Sequence, residues 1–305
     1  MENIERYKHL NTYLKEKFGE RTLKICVDGG FTCPNRDGTL SYNGCIFCSE
    51  KGSGELINSS KNISKQVEDY FLSYKSKRAN KFIVYFQNFT NTYDSIENLK
   101  EKYDSALIDN RIVGLEIGTR PDCITEDIVK LLKSYTNKYY VCVDLGLQTS
   151  NNEIGKLINR CYTSEQFTKA VQLLNKYKID VVAHIMVGLP NETKQNIKNT
   201  VDFLNHHDLQ GIKIHSTYVV KNTILAQMYK EGLYKAMDLN YYINNLIYII
   251  THINPNFIIH RISGDSPKNL LVAPSWNLHK KWIINEFNKH LVDDNLWQGK
   301  FYKNT

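Results

Sequence analysis

Three cysteines, Cys33, Cys45 and Cys48, lie close enough along the sequence to bind one metal centre. They form a Cys-x11-Cys-x2-Cys pattern, in which only Ile46 and Phe47 separate the last pair. Turn-forming residues after Cys33 can fold this loop back, so that all three thiols meet. Three unliganded structural cysteines explain such close spacing less well than a metal site does.

Two kinds of metal site can use these thiols. A structural zinc ion takes four ligands, usually presented as two knuckles, and no second Cys-x2-Cys pair or histidine partner follows nearby. A [4Fe–4S] cluster normally takes four cysteines. With three, one iron stays open, which a cluster needs if it is to bind a substrate directly. The spacing alone does not choose between zinc and iron.

Polar side chains recur where short apolar segments end. In parallel α/β folds, chemistry gathers at the carboxyl ends of the strands, because the loops there share one space. Burial of these groups without partners would be costly, so together they predict a polar ligand, although Asp144 and Lys213 can also face outward or pair within the sheet. The residues are Asp28, Gln87, Glu116, Asp144, Gln148, His184, Lys213 and His215.

The apolar segments have the length and composition of strands, being rich in Val, Ile, Tyr and Phe. We expect strands at residues 23–27, 82–86, 112–117, 140–147, 181–189 and 212–219. Between them, apolar residues recur at helical spacing, and Thr125 and Thr163 stand at helix-capping positions. We expect helices near residues 63–74, 96–107, 125–132, 164–177 and 192–206.

The alternation of strands and helices indicates parallel strands joined by right-handed crossovers. About six such units predict an α/β fold of the partial (β/α)6 barrel type, with a doubly wound sheet as the competing architecture. After residue 220 the pattern changes to a long apolar helix near 239–253, a strand at 257–262 and a helix at 276–292. We therefore predict a core barrel over residues 1–220 and an α/β extension over 221–305 that packs on it.

The chain of 305 residues has a net charge of +7, from 39 Lys and Arg against 32 Asp and Glu. This balance suits a polyanionic partner such as RNA. The seven cysteines are too few and too unevenly spaced for a disulfide scaffold. No segment is apolar enough to cross a membrane, and the N-terminus lacks the apolar core of a signal peptide. We expect a cytoplasmic protein with no membrane partner.

The cysteine loop, with an aromatic residue just before its last cysteine, resembles the cluster motif of radical S-adenosylmethionine (SAM) enzymes. The resemblance continues along essentially the whole chain. It is specific to the YhcC/YtqA family of radical SAM proteins, which is related to the oxygen-independent coproporphyrinogen oxidase and Elp3 branches. The matching motifs lie at residues 28–38, 118–122, 145–149, 159–160, 184–190, 211–215, 260–265 and 273–276.

This resemblance implies that Cys33, Cys45 and Cys48 hold a [4Fe–4S] cluster, whose open iron is chelated by the amino and carboxylate groups of SAM. One electron into the cluster then breaks a C–S bond of SAM. The resulting 5′-deoxyadenosyl radical abstracts hydrogen from the substrate. The electron would come from a donor such as flavodoxin or ferredoxin.

The resemblance also implies which residues contact SAM. Phe47 would pack near the adenine, Gln87 would contact the methionine amino group, and Arg160 would pair with the carboxylate. Relatives often read Asn-Arg-Gly-His where residues 159–162 of this chain read Asn-Arg-Cys-Tyr. The remaining implied contacts are Glu116, Gln148, Gly188, Leu189 and Pro190.

The implied substrate is tRNA, because members of this family look like enzymes that convert carboxymethylaminomethyl-uridine towards aminomethyl-uridine at the C5 position of the wobble base. Two other functions stay open. One is a radical SAM enzyme that acts on a small carboxylated metabolite or a porphyrin, and the other is a non-catalytic, zinc-stabilised RNA-binding protein. Candidates for substrate contact or proton transfer are His215, His260, Arg261 and Asp265.

Overall fold

The computed structural model describes residues 5–52, 57 and 60–303. The strands are β1 (Thr22–Val27), β2 (Lys81–Phe86), β3 (Ile112–Thr119), β4 (Tyr140–Gln148), β5 (Asp180–Val187), β6 (Gly211–Ser216), β7 (Val219–Val220), β8 (Ile258–Arg261) and β9 (Leu271–Ala273). The helices are α1 (Leu10–Phe18), α2 (Ile63–Leu72), α3 (Ile96–Asp104), α4 (Glu126–Tyr135), α5 (Asn152–Leu157), α6 (Ser164–Lys176), α7 (Lys194–Asn205), α8 (Ile224–Lys230), α9 (Leu239–His252) and α10 (Lys280–Asp293). None of these helices is long and apolar enough to cross a membrane.

Seven strands form one parallel sheet in the order β1-β2-β3-β4-β5-β6-β8. The strand order follows the chain without reversal, so every crossover turns the same way and the sheet curls into part of a barrel. A doubly wound sheet would need the order to reverse at a switch point. The predicted α/β fold of the partial-barrel type is confirmed.

The number of strands in the barrel differs from the predicted six. β8, from the C-terminal region, pairs in parallel with β6, with Gly211 opposite Ile258. The apolar segment 212–219 is not one strand, because β6 ends at Ser216 and β7 pairs antiparallel with β9 outside the main sheet. The partner of a strand depends on where the chain returns in space. The local sequence of β8 therefore predicted a strand but not its place in the barrel.

The helices begin at capping residues and bury one apolar face on the sheet. Thr125 accepts a hydrogen bond from the Ile128 N–H, and Thr163 forms a reciprocal capping box with Gln166. Both caps were predicted, and each contributes about 1 kcal/mol to helix stability. Burial of one large apolar side chain contributes about 1.5–3 kcal/mol. Residues of these two helices that are almost inaccessible to solvent include Val129, Leu132, Phe167, Val171 and Leu174.

The N-terminal segment covers the open side of the sheet between its first and last strands. Helix α1 contacts both β1 and β8. Just before it, Lys8 O accepts a hydrogen bond of 2.9 Å from the Ile259 N–H on the outer edge of β8. Unpaired strand edges invite pairing with other chains. This contact therefore protects the last edge of the barrel.

Candidate active site at the carboxyl ends of the strands

The loop that carries the three cysteines folds back on itself after β1. Arg36 donates its backbone N–H to Cys33 O at 2.8 Å, which begins the turn. A second turn, from the Cys48 N–H to Cys45 O at 3.0 Å, brings the last pair together. All three cysteines line one cavity. The loop therefore folds back as predicted, and the three cysteines border a shared space.

Two asparagines fasten this loop to the segment between α5 and α6. Asn35 is fully buried and donates to the Asn159 carbonyl at 2.5 Å. In return, the Asn159 side chain donates to Gly44 O at 2.7 Å. Gly44 has a φ of +69°, a conformation in which a side chain would add strain. The residue before Cys45 is thereby held in place from both sides.

The two residues between Cys45 and Cys48 have opposite environments. Ile46 belongs to a small apolar core that also contains Ile158 and Leu225. Its N–H donates to Ile158 O at 3.1 Å, and its carbonyl accepts from the Leu225 N–H at 2.9 Å. Phe47 instead lines the cavity. The buried isoleucine therefore turns the aromatic ring towards the space beside the thiols.

The thiols of Cys45 and Cys48 share a hydrogen bond. This bond, helped by the nearby Arg120 guanidinium and opposed by burial, lowers the pKa of Cys45 to about 7. The same bond and burial raise the pKa of Cys48 well above its ordinary value. Because the thiolate is the form that binds metals, the lowered pKa of Cys45 favours binding of a metal centre.

Polar side chains from successive strands face the thiols across the cavity. The prediction that strand-end residues share one space is confirmed for most of its members. Among the described residues, Asp28 and Glu116 do not line the cavity. The polar lining consists largely of Gln87, Thr119, Arg120, Asp144, Gln148, His184, Lys213, His215 and Arg261.

The groups around this cavity fit a [4Fe–4S] cluster that has one open iron and a polar ligand beside it. Three soft sulfur donors face the cavity, and within the described part of the chain no fourth cysteine lines it. The buried Nε2 atoms of His184 and His215 have no hydrogen-bond partner among the described residues. Such atoms are uncommon in native proteins, and their presence indicates space shaped for a polar molecule.

Comparison with known proteins identifies the family. Residues 35–204 match the model of the Radical SAM superfamily, and residues 209–293 match that of the Radical_SAM C-terminal domain. This chain belongs to the radical SAM superfamily. It is a radical SAM enzyme, and its cofactors are a [4Fe–4S] cluster and SAM.

Individual radical SAM relatives support the finer placement. The chain is 38% identical over 301 residues to YtqA of Bacillus subtilis, which covers 98% of this chain and 94% of YtqA. It is 32% identical over 184 residues to the tRNA uridine(34) acetyltransferase of Dehalococcoides mccartyi, covering 59% of this chain and 39% of that protein. The solved structure of Elp3 from Methanocaldococcus infernus shares the fold, with a TM-score of 0.69 at 20% identity over 91% of this chain and 64% of that chain. The predicted family and its relation to Elp3 are confirmed.

Three of the predicted SAM contacts, Phe47, Gln87 and Gln148, line the radical SAM cavity. Gln148 has a φ of +59°, which is uncommon for a residue with a side chain. Its Oε1 accepts a hydrogen bond of 2.7 Å from the Tyr162 hydroxyl. A Cβ atom on Gly146 would lie 2.8 Å from Gln148 Nε2. The Tyr162 hydroxyl therefore holds this glutamine in place.

Arg160 does not face the cavity. Its side chain is fully buried, and its guanidinium donates to the carbonyls of Leu147, Thr149 and Tyr162 at 2.5, 2.6 and 3.0 Å. Arg160 is absent from the described residues that line the cavity. Because backbone oxygens take its donors, the structure does not bring Arg160 to the cavity with Phe47, Gln87 and Gln148.

Arg120 lines the cavity beside Cys33, and Arg36 lines it beside Cys48. Arg120 makes paired hydrogen bonds of 3.0 and 2.8 Å to Asp122. Its remaining Nη1 lies 4.0 Å from Cys33 Sγ. The motif at residues 118–122 singled out Arg120, but nothing local to it shows which arginine faces the cluster loop.

Glu116 lies in the barrel interior, two residues before Gly118, which lines the cavity. Its carboxylate pairs with Lys24 of β1 and, at 2.8 Å, with Lys213 of β6. Burial opposes its charge, but these lysines hold the pKa of Glu116 well below its ordinary value. Two ammonium groups occupy its oxygens, and the structure does not bring Glu116 to the cavity lining with the other predicted SAM contacts.

Asp144 and Lys213 form a charged pair on the cavity lining, and the pairing is the predicted alternative to an outward orientation. Burial and the neighbouring Glu116 raise the pKa of Asp144 to about 6. Burial disfavours the ammonium, yet Asp144 and Glu116 hold the pKa of Lys213 well above its ordinary value. The cavity therefore contains a permanent buried cation that the sequence did not identify as a site residue.

The four predicted substrate contacts separate into three locations. His215 and Arg261 line the cavity. His260 lies in the barrel interior, with Nε2 at 2.7 Å from Gln210 Oε1. Asp265 is at the surface, where it pairs with Arg261 at 3.3 Å. Only the first two residues are placed to contact a substrate in this cavity.

The turn at Gly188, Leu189 and Pro190 packs against the C-terminal region. Gly188 O accepts a hydrogen bond of 2.7 Å from the Tyr234 hydroxyl, and the Gly188 N–H donates to Glu192 at 2.6 Å. Leu189 belongs to the small apolar core beneath the cysteine loop. The cavity lining, as far as it is described, includes none of the three residues of the turn.

Proposed function

We propose that Cys33, Cys45 and Cys48 hold the [4Fe–4S] cluster and that SAM lies between it and the polar strand ends. The observation that carries this proposal is that the three thiols and the strand-end groups open on one cavity. When bound, the cluster and SAM supply a carbon-centred radical that abstracts hydrogen from the substrate.

In this proposal the residues of the chain orient SAM and exclude water. Phe47 offers an aromatic face to the adenine, and Gln87 and Gln148 offer amide groups to the polar parts of SAM. Arg120 offers its Nη1, next to Cys33, to the methionine carboxylate. The enclosing loop and strand ends keep water from the reactive carbon.

We further propose that the substrate is the C5 side chain of the tRNA wobble uridine, converted from carboxymethylaminomethyl-uridine towards aminomethyl-uridine. A hydrogen atom would leave the methylene carbon next to the carboxylate, and the substrate radical would return one electron to the cluster, so that SAM is the net oxidant. Hydrolysis of the resulting imine would break the N–C bond and release the two carbons as glyoxylate.

Similarity to the tRNA uridine(34) acetyltransferase supports a tRNA substrate. The net charge of +7 is of the right sign for a polyanion. An electron donor of the flavodoxin or ferredoxin type supplies the electron that the chemistry requires.

Nucleoside analysis of tRNA from a deletion strain and its parent tests the substrate. We expect mass spectrometry to show that carboxymethylaminomethyl-uridine rises and its aminomethyl-derived products fall when the gene is deleted. The wild-type gene should restore the parental pattern, and the Cys48→Ala gene should not. Identical nucleosides in the two strains would contradict the tRNA assignment.

An assay with purified components tests the same proposal directly. The anaerobically reconstituted enzyme, with SAM and dithionite, should form more 5′-deoxyadenosine with tRNA from the deletion strain than with tRNA from the parent. The two tRNA pools differ only in the modification, so they control for unspecific stimulation. Stimulation by a small carboxylated metabolite, with no response to either tRNA, would favour the small-molecule alternative.

A further inference from the structure

We propose that His184, His215 and Arg261 form a subsite for the carboxylate group of the substrate, separate from the groups that hold SAM. The assignment of this carboxylate to the uridine side chain rests on the proposed function. The existence of an anion subsite rests only on the geometry and charge of the cavity.

The register of the sheet places these side chains on the same face of three neighbouring strands. His184 of β5 pairs with Lys213 of β6, and Lys213 pairs with Arg261 of β8. His215 follows Lys213 by two residues and therefore points to the same side. The rings of His184 and His215 meet edge to face, with centroids 4.5 Å apart. All four residues line the cavity.

Each of the two imidazoles has a ring nitrogen that makes no hydrogen bond to the described residues. Nε2 of His184 and Nε2 of His215 are both buried without a partner among the described residues. A buried polar atom that makes no hydrogen bond costs about 1–3 kcal/mol. A ligand that accepts a hydrogen bond from each ring would recover this cost. With the proton of each neutral ring on Nε2, the two rings present two adjacent N–H donors, which match the two oxygens of a carboxylate.

The charges around the imidazoles indicate that this ligand is an anion. Burial, together with the positive charges of Lys213 and Arg261, holds the pKa of both histidines well below the ordinary value. The rings are therefore neutral at pH 7. Burial is the main cause, and the positive side chains that add to it attract a negative charge.

The carboxylates near this field have partners of their own. Glu116 pairs with Lys213, and Asp144 pairs with it through Oδ2, while the buried Oδ1 of Asp144 has no hydrogen-bond partner among the described residues. Asp265 reaches Arg261 from the surface, at 3.3 Å, and shares its charge with Lys280 at 2.8 Å. The Arg261 guanidinium has five N–H donors, so one salt bridge leaves several for a ligand in the cavity.

Binding of sarcosine to the reconstituted enzyme with saturating SAM tests the subsite. Sarcosine keeps the secondary amine and carboxylate of the carboxymethylamino group, and dimethylamine keeps only the amine. We expect saturation-transfer NMR to detect sarcosine and not dimethylamine. Arg261→Gln should weaken sarcosine binding about tenfold, the effect of losing one charged hydrogen bond. His215→Phe should have a similar effect, and Lys281→Gln, which removes an exposed charge, should have none.

Two outcomes would overturn the subsite. One is sarcosine binding that is equal in the wild type, Arg261→Gln and His215→Phe or is absent from all of them. The other is sarcosine binding that is detected without SAM and lost when SAM is saturating, which would assign these residues to the SAM carboxylate. Neither outcome depends on the nucleoside comparison, so failure of the tRNA proposal and failure of the subsite are distinguishable.

Discussion

Tyr162 lies between two arginines that have different contacts. The Arg120 guanidinium is 4.8 Å from its ring centroid and the Arg160 guanidinium 4.7 Å. Arg120 borders the cavity, whereas Arg160 binds backbone carbonyls on the buried side. The tyrosine hydroxyl meanwhile positions Gln148. The two arginines should therefore be separable by experiment, one affecting SAM and the other stability.

Arg120→Lys should weaken SAM binding about tenfold without unfolding the protein, because lysine keeps the charge but loses the planar fork. Calorimetric titration of the reconstituted enzyme with SAM measures this. Arg111→Lys is the matched control, since Arg111 also makes a forked pair with an aspartate, Asp109, but at the surface. Equal SAM affinity in Arg120→Lys and the wild type would contradict the assigned contact.

Arg160→Gln should lower the free energy of unfolding by about 3 kcal/mol, because several buried carbonyls lose a charged donor. Urea denaturation of the cluster-free protein measures the loss. A variant as stable as the wild type, but with weakened SAM binding, would contradict the structural role and would identify Arg160 as a SAM contact.

The buried histidines predict a loss of stability in acid. Because the folded-state pKa values of His184 and His215 lie well below 6.5, the unfolded chain binds more protons below that pH. The free energy of unfolding should therefore fall between pH 7.5 and 5.5, by about 1.4 kcal/mol for each such histidine. Urea denaturation at the two pH values should show a smaller fall in the His184→Gln, His215→Gln double variant. An unchanged fall would contradict neutral histidines.

At the scale of elements, charged residues on β1, β3, β4 and β6 link the strands across the barrel interior. Lys213 on β6 reaches Glu116 on β3 and Asp144 on β4, and Lys24 on β1 reaches Glu116. Buried ion pairs add little net stability, but removal of one partner is costly, since the other charge is left in an apolar interior.

Lys213→Met should therefore cost about 3–5 kcal/mol in the free energy of unfolding. The double variant Lys213→Met, Asp144→Asn should recover about 2 kcal/mol of the lost free energy of unfolding. It removes the Asp144 charge, which would otherwise be buried without a partner, and Glu116 keeps Lys24 as its partner. Lys24→Met should cost less than Lys213→Met, because the Lys24 side chain is 18% exposed and that of Lys213 is 6% exposed. Urea denaturation ranks the three. A double variant less stable than Lys213→Met would refute the paired arrangement.

The strands of the main sheet and most helices could be predicted because their signals are local: apolar runs, helical spacing and capping residues. The orientation of individual side chains could not. Glu116 and Arg160 occupy positions at which the family resemblance implied SAM contacts, but their oxygens and donors are taken by lysines and carbonyls that are distant in the sequence. β8 was expected as a strand, whereas its pairing with β6 depends on tertiary packing.

At the scale of the whole molecule, the barrel and the cysteine loop contribute different parts of the cavity. The curled sheet brings the strand ends around one cavity, α1 covers the side between β1 and β8, and the cysteine loop closes the cavity. The alternation of strands and helices predicted the fold correctly, and the resemblance along the chain named the cofactors correctly. Only the three-dimensional arrangement shows which polar residues face the cavity and which lie buried behind it.

Catalysis depends on the [4Fe–4S] cluster assigned to Cys33, Cys45 and Cys48, and Cys48→Ala tests that assignment most directly. We expect the wild type, reconstituted without oxygen, to be brown, to bind about four irons and to form 5′-deoxyadenosine from SAM and dithionite. Cys48→Ala should form none while keeping its circular dichroism spectrum. Cys161→Ala, which removes an exposed cysteine outside the trio, should remain active. Formation of 5′-deoxyadenosine by Cys48→Ala at the wild-type rate would contradict the assigned cluster.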